Sequence, residues 1–141
     1  MTSTGLGPDG HGDATSSAIA WRLTRGAPNT PSVLCVSNEL YMVSDAGIAT
    51  CVDAKSGMMI WQGRVSGNYS ASPVWADGRI YLQSEEGVGV VLRPGRRLEI
   101  LSRNQLNERT LASYAIADQA IFIRGESHLY RIQTLTGRPT R

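Results

Sequence analysis

The chain has 141 residues, 41% hydrophobic and 18% charged, with 15 Gly, 6 Pro, 2 Cys and a formal net charge of +2. That length and balance allow one modest core and exclude a large multidomain enzyme, and no run of about 18 apolar residues is present to span a membrane. Two cysteines are too few for a disulfide framework or a cysteine-built zinc site, and 12 carboxylates offset 14 basic residues, of which Lys55 alone is a lysine, so nucleic acid is not an expected partner.

In chain order, Met1 to Gly12 lacks the basic and apolar blocks of a signal peptide, and residues 1–18, rich in Gly, Ser and Thr, read as a flexible tail. Ile19 to Leu23 reads as a strand. Two short alternating segments, Val33 to Val36 and Leu40 to Val43, then flank Ser37-Asn38, and Pro73 to Trp75 and Arg79 to Leu82 flank Asp77-Gly78, a strong two-residue hairpin signal. Ile116 and Ile121 flank Asp118-Gln119 in the same way. Second turns fall at Asp45-Ala46-Gly47, Glu85-Glu86-Gly87 and Gly125-Glu126-Ser127, where Gly supplies the left-handed residue. Third strands follow at Ile48 to Val52, Val88 to Leu92 and His128 to Ile132, and fourth strands at Met58 to Arg64 and Arg97 to Ser102.

These copies recur with a period of about 40 residues, which with four strands per unit is the pattern of a β-propeller. Tyr41 and Tyr81 are 40 residues apart, as are Trp21, Trp61 and Leu101 in succession. The expected fold is all-β, a partial propeller at 19–133: a strand at 19–23, blades at 31–65 and 72–102, and an incomplete blade at 112–133 that lacks its fourth strand. Residues 134–141 read as a second tail.

Cys51, Asp53, Ser56, Gly57 and Trp61, within CVDAKSGMMIW, fall at the Ala, Asp, Thr, Gly and Trp of the pattern Ala, any, Asp, two residues, Thr, Gly, three residues, Trp. The segment resembles the tryptophan-docking repeat of PQQ-like, quinoprotein-type propellers. In the second blade Arg93-Pro94-Gly95 replaces the Asp-to-Gly stretch and Leu101 replaces the tryptophan. The resemblance implies Asp53 as a turn cap, Gly57 at a strained φ and Trp61 packed on the neighbouring sheet. It also implies an extracytoplasmic protein, in a family that mixes quinone-dependent dehydrogenases with scaffolding propellers.

In the dehydrogenases of this family, pyrroloquinoline quinone (PQQ) sits on the axis beside calcium, under a disulfide between adjacent cysteines. Here Cys35 and Cys51 are on the first and third strands of one blade, the calcium ligands and catalytic aspartate have no match, and three blades do not surround an axis. No cofactor is therefore expected, and no catalytic or metal-binding residue is assigned. Ser127, His128 and Asp118 read as turn and strand-edge residues rather than a triad. Arg93, Arg96, Arg97, Arg103 and Arg109 read as partners of carboxylates on neighbouring blades.

The expectation is a non-catalytic module for protein interaction or scaffolding. Its alternative is a C-terminal fragment of a larger PQQ-dependent dehydrogenase-type propeller. The candidate binding face is the one carrying links between blades and the second-to-third-strand turns: Asn68, Tyr69, Asn104, Asn107, Glu108 and Arg109, with Asp45, Glu85, Glu86 and Glu126 beside them. The expected partner is another protein or the missing blades, and a head-to-tail homodimer is one way to complete the open ends.

Overall fold

The computed structural model describes residues 3–6 and 18–134. Strands β1 (Ser3–Leu6) and β2 (Ile19–Leu23) form a two-stranded antiparallel sheet. The first blade is β3 (Leu34–Val36), β4 (Glu39–Val43), β5 (Ile48–Asp53) and β6 (Met59–Arg64). The second is β7 (Val74–Ala76), β8 (Arg79–Gln83), β9 (Val88–Arg93) and β10 (Glu99–Gln105). The third sheet is β11 (Ala115–Ala117), β12 (Ala120–Arg124) and β13 (Leu129–Gln133). Each sheet pairs its strands in sequence order and antiparallel, so the described residues form an all-β meander of propeller blades, with no helix long and apolar enough to cross a membrane.

The first-to-second-strand turns follow from their residues. Val36 pairs with Glu39, Ala76 with Arg79 and Ala117 with Ala120, leaving two residues in each loop. Asp77 and Gly78 both have positive φ, 47° and 69°, as do Asp118 and Gln119 at 49° and 58°, the geometry that matches the twist of a hairpin. The second-to-third-strand turns of the first two blades repeat bond for bond. The Gly47 N–H donates to the Ser44 carbonyl and the Ile48 N–H to Ser44 Oγ; Gly87, Val88 and Ser84 do the same.

The core lies between the first two blades. Tyr41, Val43, Ala49 and Cys51 from the first meet Ile80, Leu82, Val90 and Leu92 from the second, with Val65 and Tyr69 of the intervening link closing one end. Strand alternation explains the split: Leu34, Tyr41, Cys51 and Trp61 are successive cross-strand partners and share a face, while Cys35, Leu40 and Val52 share the opposite one.

Four details depart from the sequence reading. Residues 3–6, inside the expected tail, pair with β2, whereas 7–17 and 135–141 lie outside the described residues. The fourth strand of the second blade extends to Gln105 rather than ending at Ser102. Its register is also displaced: Cys51 pairs with Trp61, but the equivalent Val91 pairs with Ser102. One more residue in the turn before β10 makes Ser102, not Leu101, the structural counterpart of Trp61. Finally, Gly125 is not among the positive-φ residues; it occupies the place of Ser84, and no glycine stands where Gly47 and Gly87 stand.

Candidate functional site

The docking motif fastens neighbouring blades together. Asp53 Oδ1 accepts from the Lys55 N–H at 3.1 Å, the Ser56 N–H at 2.8 Å and Ser56 Oγ at 2.9 Å, while the Asp53 carbonyl takes the Gly57 N–H at 2.8 Å. The bonds from Ser56 hold the Asp53 carboxyl below the usual carboxylate range. Gly57, at φ 69°, lies against the Trp21 indole so closely that a Cβ there would stand 2.5 Å from Trp21 Cδ2. Trp21 Nε1 donates to the Ala54 carbonyl at 3.0 Å.

One blade further on, Trp61 Nε1 donates to the Gly95 carbonyl at 2.8 Å, and the Gly95 N–H donates to Tyr41 Oη at 2.7 Å. Tyr41 in turn donates to Glu39 and packs tilted against Trp61, with ring centroids 6.0 Å apart. Burial, then the bond to Glu39, pushes the Tyr41 hydroxyl pKa well up. Arg93-Pro94-Gly95 thus receives Trp61 through its backbone, although it lacks the Asp-to-Gly motif. Sequence reasoning noticed Trp21 as part of a spacing series and missed that it docks in the same way as Trp61.

The candidate binding face is largely a row of staples between blades. Asp45 accepts the Asn29 N–H at 2.7 Å and the Thr30 N–H at 3.2 Å, the first of which lowers its pKa. Asn68 donates both its backbone N–H and its Nδ2 to Glu86, and its carbonyl takes the Glu85 N–H. Glu85 also binds Ser70 Oγ and, at 3.2 Å, Arg109 Nη2. Glu108, whose side chain is 10% exposed, reaches across to the third sheet. It accepts from the Ser127 N–H, the His128 N–H at 3.0 Å and Tyr130 Oη at 2.6 Å, with His128 Nδ1 at 3.3 Å. The Tyr130 and Ser127 bonds bring its pKa down to about 2.

Tyr69 does not belong to that surface: it is 1% exposed, its N–H donates to the Asp45 carbonyl, and its hydroxyl has no partner among the described residues. Asn104 and Asn107 are exposed, and Asn104 Nδ2 donates only to Ser102 Oγ, at 3.3 Å. The arginines are partly used within their own turn, Arg93 and Arg97 both approaching Glu99. Arg103 instead crosses between blades and donates to the Val65 carbonyl at 2.7 Å.

The second-to-third-sheet junction is chemically different from the first. Where the first blade presents Val43, Ala49 and Trp61, the second presents Gln83, Gly89 and Ser102. Gln83, 1% exposed, donates to Thr110 Oγ1 at 2.8 Å and accepts from the Tyr114 hydroxyl. Loss of the large indole leaves a cleft of about 300 Å³ lined by Tyr81, Gln83, Tyr114, Ile121, Ile123 and Ile132 among others. A glutamine at a strand position occupied by valine one repeat earlier is the sequence signal that could have identified this junction.

The described residues do not supply the adjacent-cysteine disulfide or the metal cluster of a quinone-and-calcium centre. Cys35 is exposed and Cys51 buried, on opposite faces of the first blade, so they cannot form the adjacent-cysteine disulfide. Among the described residues no three His, Cys, Asp or Glu side chains converge as a metal site.

The family model for the outer membrane protein assembly factor BamB matches residues 12–140. The fold is similar to BamB from Moraxella catarrhalis, with a TM-score of 0.70 and 18% identity over 86% of this chain and 38% of that one. It is also similar to a europium-containing methanol dehydrogenase, with a TM-score of 0.51 and 14% identity over 66% of this chain and 20% of that one. The chain therefore spans well under half the length of either structure. No curated protein matches it by sequence.

Proposed function

Because the chain belongs to the family of the outer membrane protein assembly factor BamB, we propose that it is a non-catalytic PQQ-like propeller module that works by binding other polypeptides, as a scaffold in protein assembly outside the cytoplasm. The observation that carries this reading is where its polar groups go. Asp45, Glu85, Glu86, Glu108, Trp21 and Trp61 are engaged with neighbouring elements, and among the described residues the outer edge of the third sheet is unpaired and carries exposed apolar side chains. Leu129 is 68% exposed, Leu111 50% and Ile132 47%, all on or beside the third sheet. Such a surface suits a protein partner better than a small substrate. Further propeller strands would complete it.

A piece of a PQQ-dependent dehydrogenase is the second reading, favoured by the structural similarity to methanol dehydrogenase. It requires ligands that the described residues do not bring together. Adding PQQ with calcium, or with a lanthanide, to the purified chain and following dye-linked alcohol oxidation tests whether the module is itself catalytic. The proposal expects no saturable turnover, and saturable turnover overturns it.

A further inference from the structure

We propose that the third-to-fourth-strand turns of the first and second blades together form a docking surface for an anionic phospholipid bilayer, their cations meeting headgroup phosphates while Met58 and Met59 enter the headgroup layer. Both blades already have a neighbour on each side. Trp21 of β2 bonds to the first blade, and Glu108, in the link after the second, bonds to the third sheet, so strands that lengthen the arc at either end add beyond these turns. The surface is thus independent of the unpaired edge of the third sheet.

The two turns form one surface. Lys55 and Met58 lie between β5 and β6, and Met59 opens β6; Arg93 closes β9, and Arg96 and Arg97 lie in the turn before β10. The bond from Trp61 Nε1 to the Gly95 carbonyl ties the second turn to the first blade, and Arg96 comes close enough to Asp53 to help lower its carboxyl pKa.

Spacing assigns these arginines to carboxylates on neighbouring blades, and the structure does otherwise. Arg93 and Arg97 both approach Glu99, at 3.3 Å and 3.7 Å, so one carboxylate answers two cations. Arg96 and Lys55 have no ion-pair partner among the described residues. The other acids at this end are engaged locally: Asp53 with Ser56 and the Lys55 N–H, Glu39 with the Tyr41 hydroxyl, and Asp77 with Arg79 at 2.7 Å. Asp118 belongs to the hairpin of the third sheet. Depth separates the signs as well. The Arg97 side chain is 85% exposed and that of Glu99 30%, so the cations stand outermost with the acids beneath them.

The apolar component is equally outward. Met58 is 70% exposed and Met59 46%, whereas Met42 is buried in the first blade. A thioether chain is unbranched and adaptable, and a guanidinium on a long stem reaches a phosphate while its methylenes cover apolar surface. Cations flanking such side chains on two projecting turns match an interface of phosphates over acyl chains. A folded acidic protein calls instead for a shaped recess, and the main cavities lie elsewhere, along the link after the second blade and its junction with the third sheet.

The test uses the full chain and vesicles made of equal parts phosphatidylglycerol and phosphatidylcholine, or of phosphatidylcholine alone, in co-sedimentation at about 0.1 M salt. Binding to the anionic vesicles should saturate, and should be about tenfold or more weaker on neutral vesicles or at about 0.5 M salt. Arg96→Gln combined with Arg97→Gln should weaken it about tenfold or more, and Met58→Asp about threefold or more, each change lying at an exposed side chain and checked for native circular dichroism. Arg124→Gln, on the third sheet, should leave binding within about twofold. No binding to anionic vesicles, equal binding to neutral ones, or an affinity unmoved by the double arginine variant overturns the proposal. So does soluble poly-glutamate that displaces the chain from vesicles at a lower concentration of charge than the lipid presents, which assigns the surface to an acidic polypeptide.

Discussion

Replacing Trp61 by Ala tests the claim that indole docking holds the first two blades together. The ring is partly buried between them, makes the 2.8 Å bond to the Gly95 carbonyl and packs on Tyr41. A tryptophan that buries about 150 Å² of apolar surface contributes about 3 to 4 kcal/mol at 25 cal/mol/Å². The hydrogen bond adds about 1 kcal/mol, and a compact unfolded state removes about a quarter of the area contribution. The net expectation for Trp61→Ala is a loss of about 4 kcal/mol, and for Trp61→Phe about 1 kcal/mol. Leu101→Ala is the control: Leu101 is the residue that simple 40-residue spacing aligns with Trp61, but it sits at the bulge in β10 and is 38% exposed, so its loss should cost under about 1 kcal/mol. Urea unfolding followed by far-ultraviolet circular dichroism measures all three, with an unchanged m-value required for the comparison. Equal losses for Trp61→Ala and Leu101→Ala would refute both the docking argument and the displaced register.

Gly57→Ala and Gly78→Ala share a φ of 69°, but only at Gly57 does the new Cβ meet a neighbour, the Trp21 ring at 2.5 Å. Urea titration should give a loss of about 1 kcal/mol at Gly78, from backbone strain alone, and about 2 kcal/mol or more at Gly57. Gln119 has φ 58° in a two-residue turn, so Gln119→Gly should raise stability by about 1 kcal/mol in the same assay. Glu108 has a folded pKa of about 2, below its unfolded value near ~4.3, so its stabilisation is complete above that unfolded value and disappears as pH falls toward 2. Thermal melts from pH 6 down to 2.5 should show Tm dropping across that window, and Glu108→Gln should flatten the drop.

The repeat was legible because hairpin chemistry is local. Asp77-Gly78 and Asp118-Gln119 announce their own turns, and Tyr41 and Tyr81 mark the same face of consecutive blades. The docking motif was legible at Asp53, Ser56, Gly57 and Trp61 for the same reason. What the sequence could not show is decided between elements. One extra residue in the turn after Arg93 moves Ser102 under Val91, which no count of 40 reveals. Tyr69, flanked by Asn68 and Ser70, reads as part of a polar loop, yet it is buried in the core between the first two blades. Glu108 reads as a loop acid of the candidate binding face until the third sheet brings Ser127, His128 and Tyr130 to it. The pairing of β1 with β2 joins segments separated by residues 7–17, and no local pattern in Ser3 to Leu6 foretells it.

The central claim is that the module works by accepting a strand and link at its third sheet, and hydrogen exchange of the β13 amides, Leu129 to Gln133, tests it most directly. With no partner strand outside it among the described residues, β13 should exchange much faster than β9, which is paired on both sides. Adding a peptide copying Glu99 to Ala112, the fourth strand and link of the second blade, should slow exchange at β13 and leave β9 unchanged. Protection of β13 equal to that of β9 in the free chain, or β13 exchange unaltered by saturating peptide, would contradict the account.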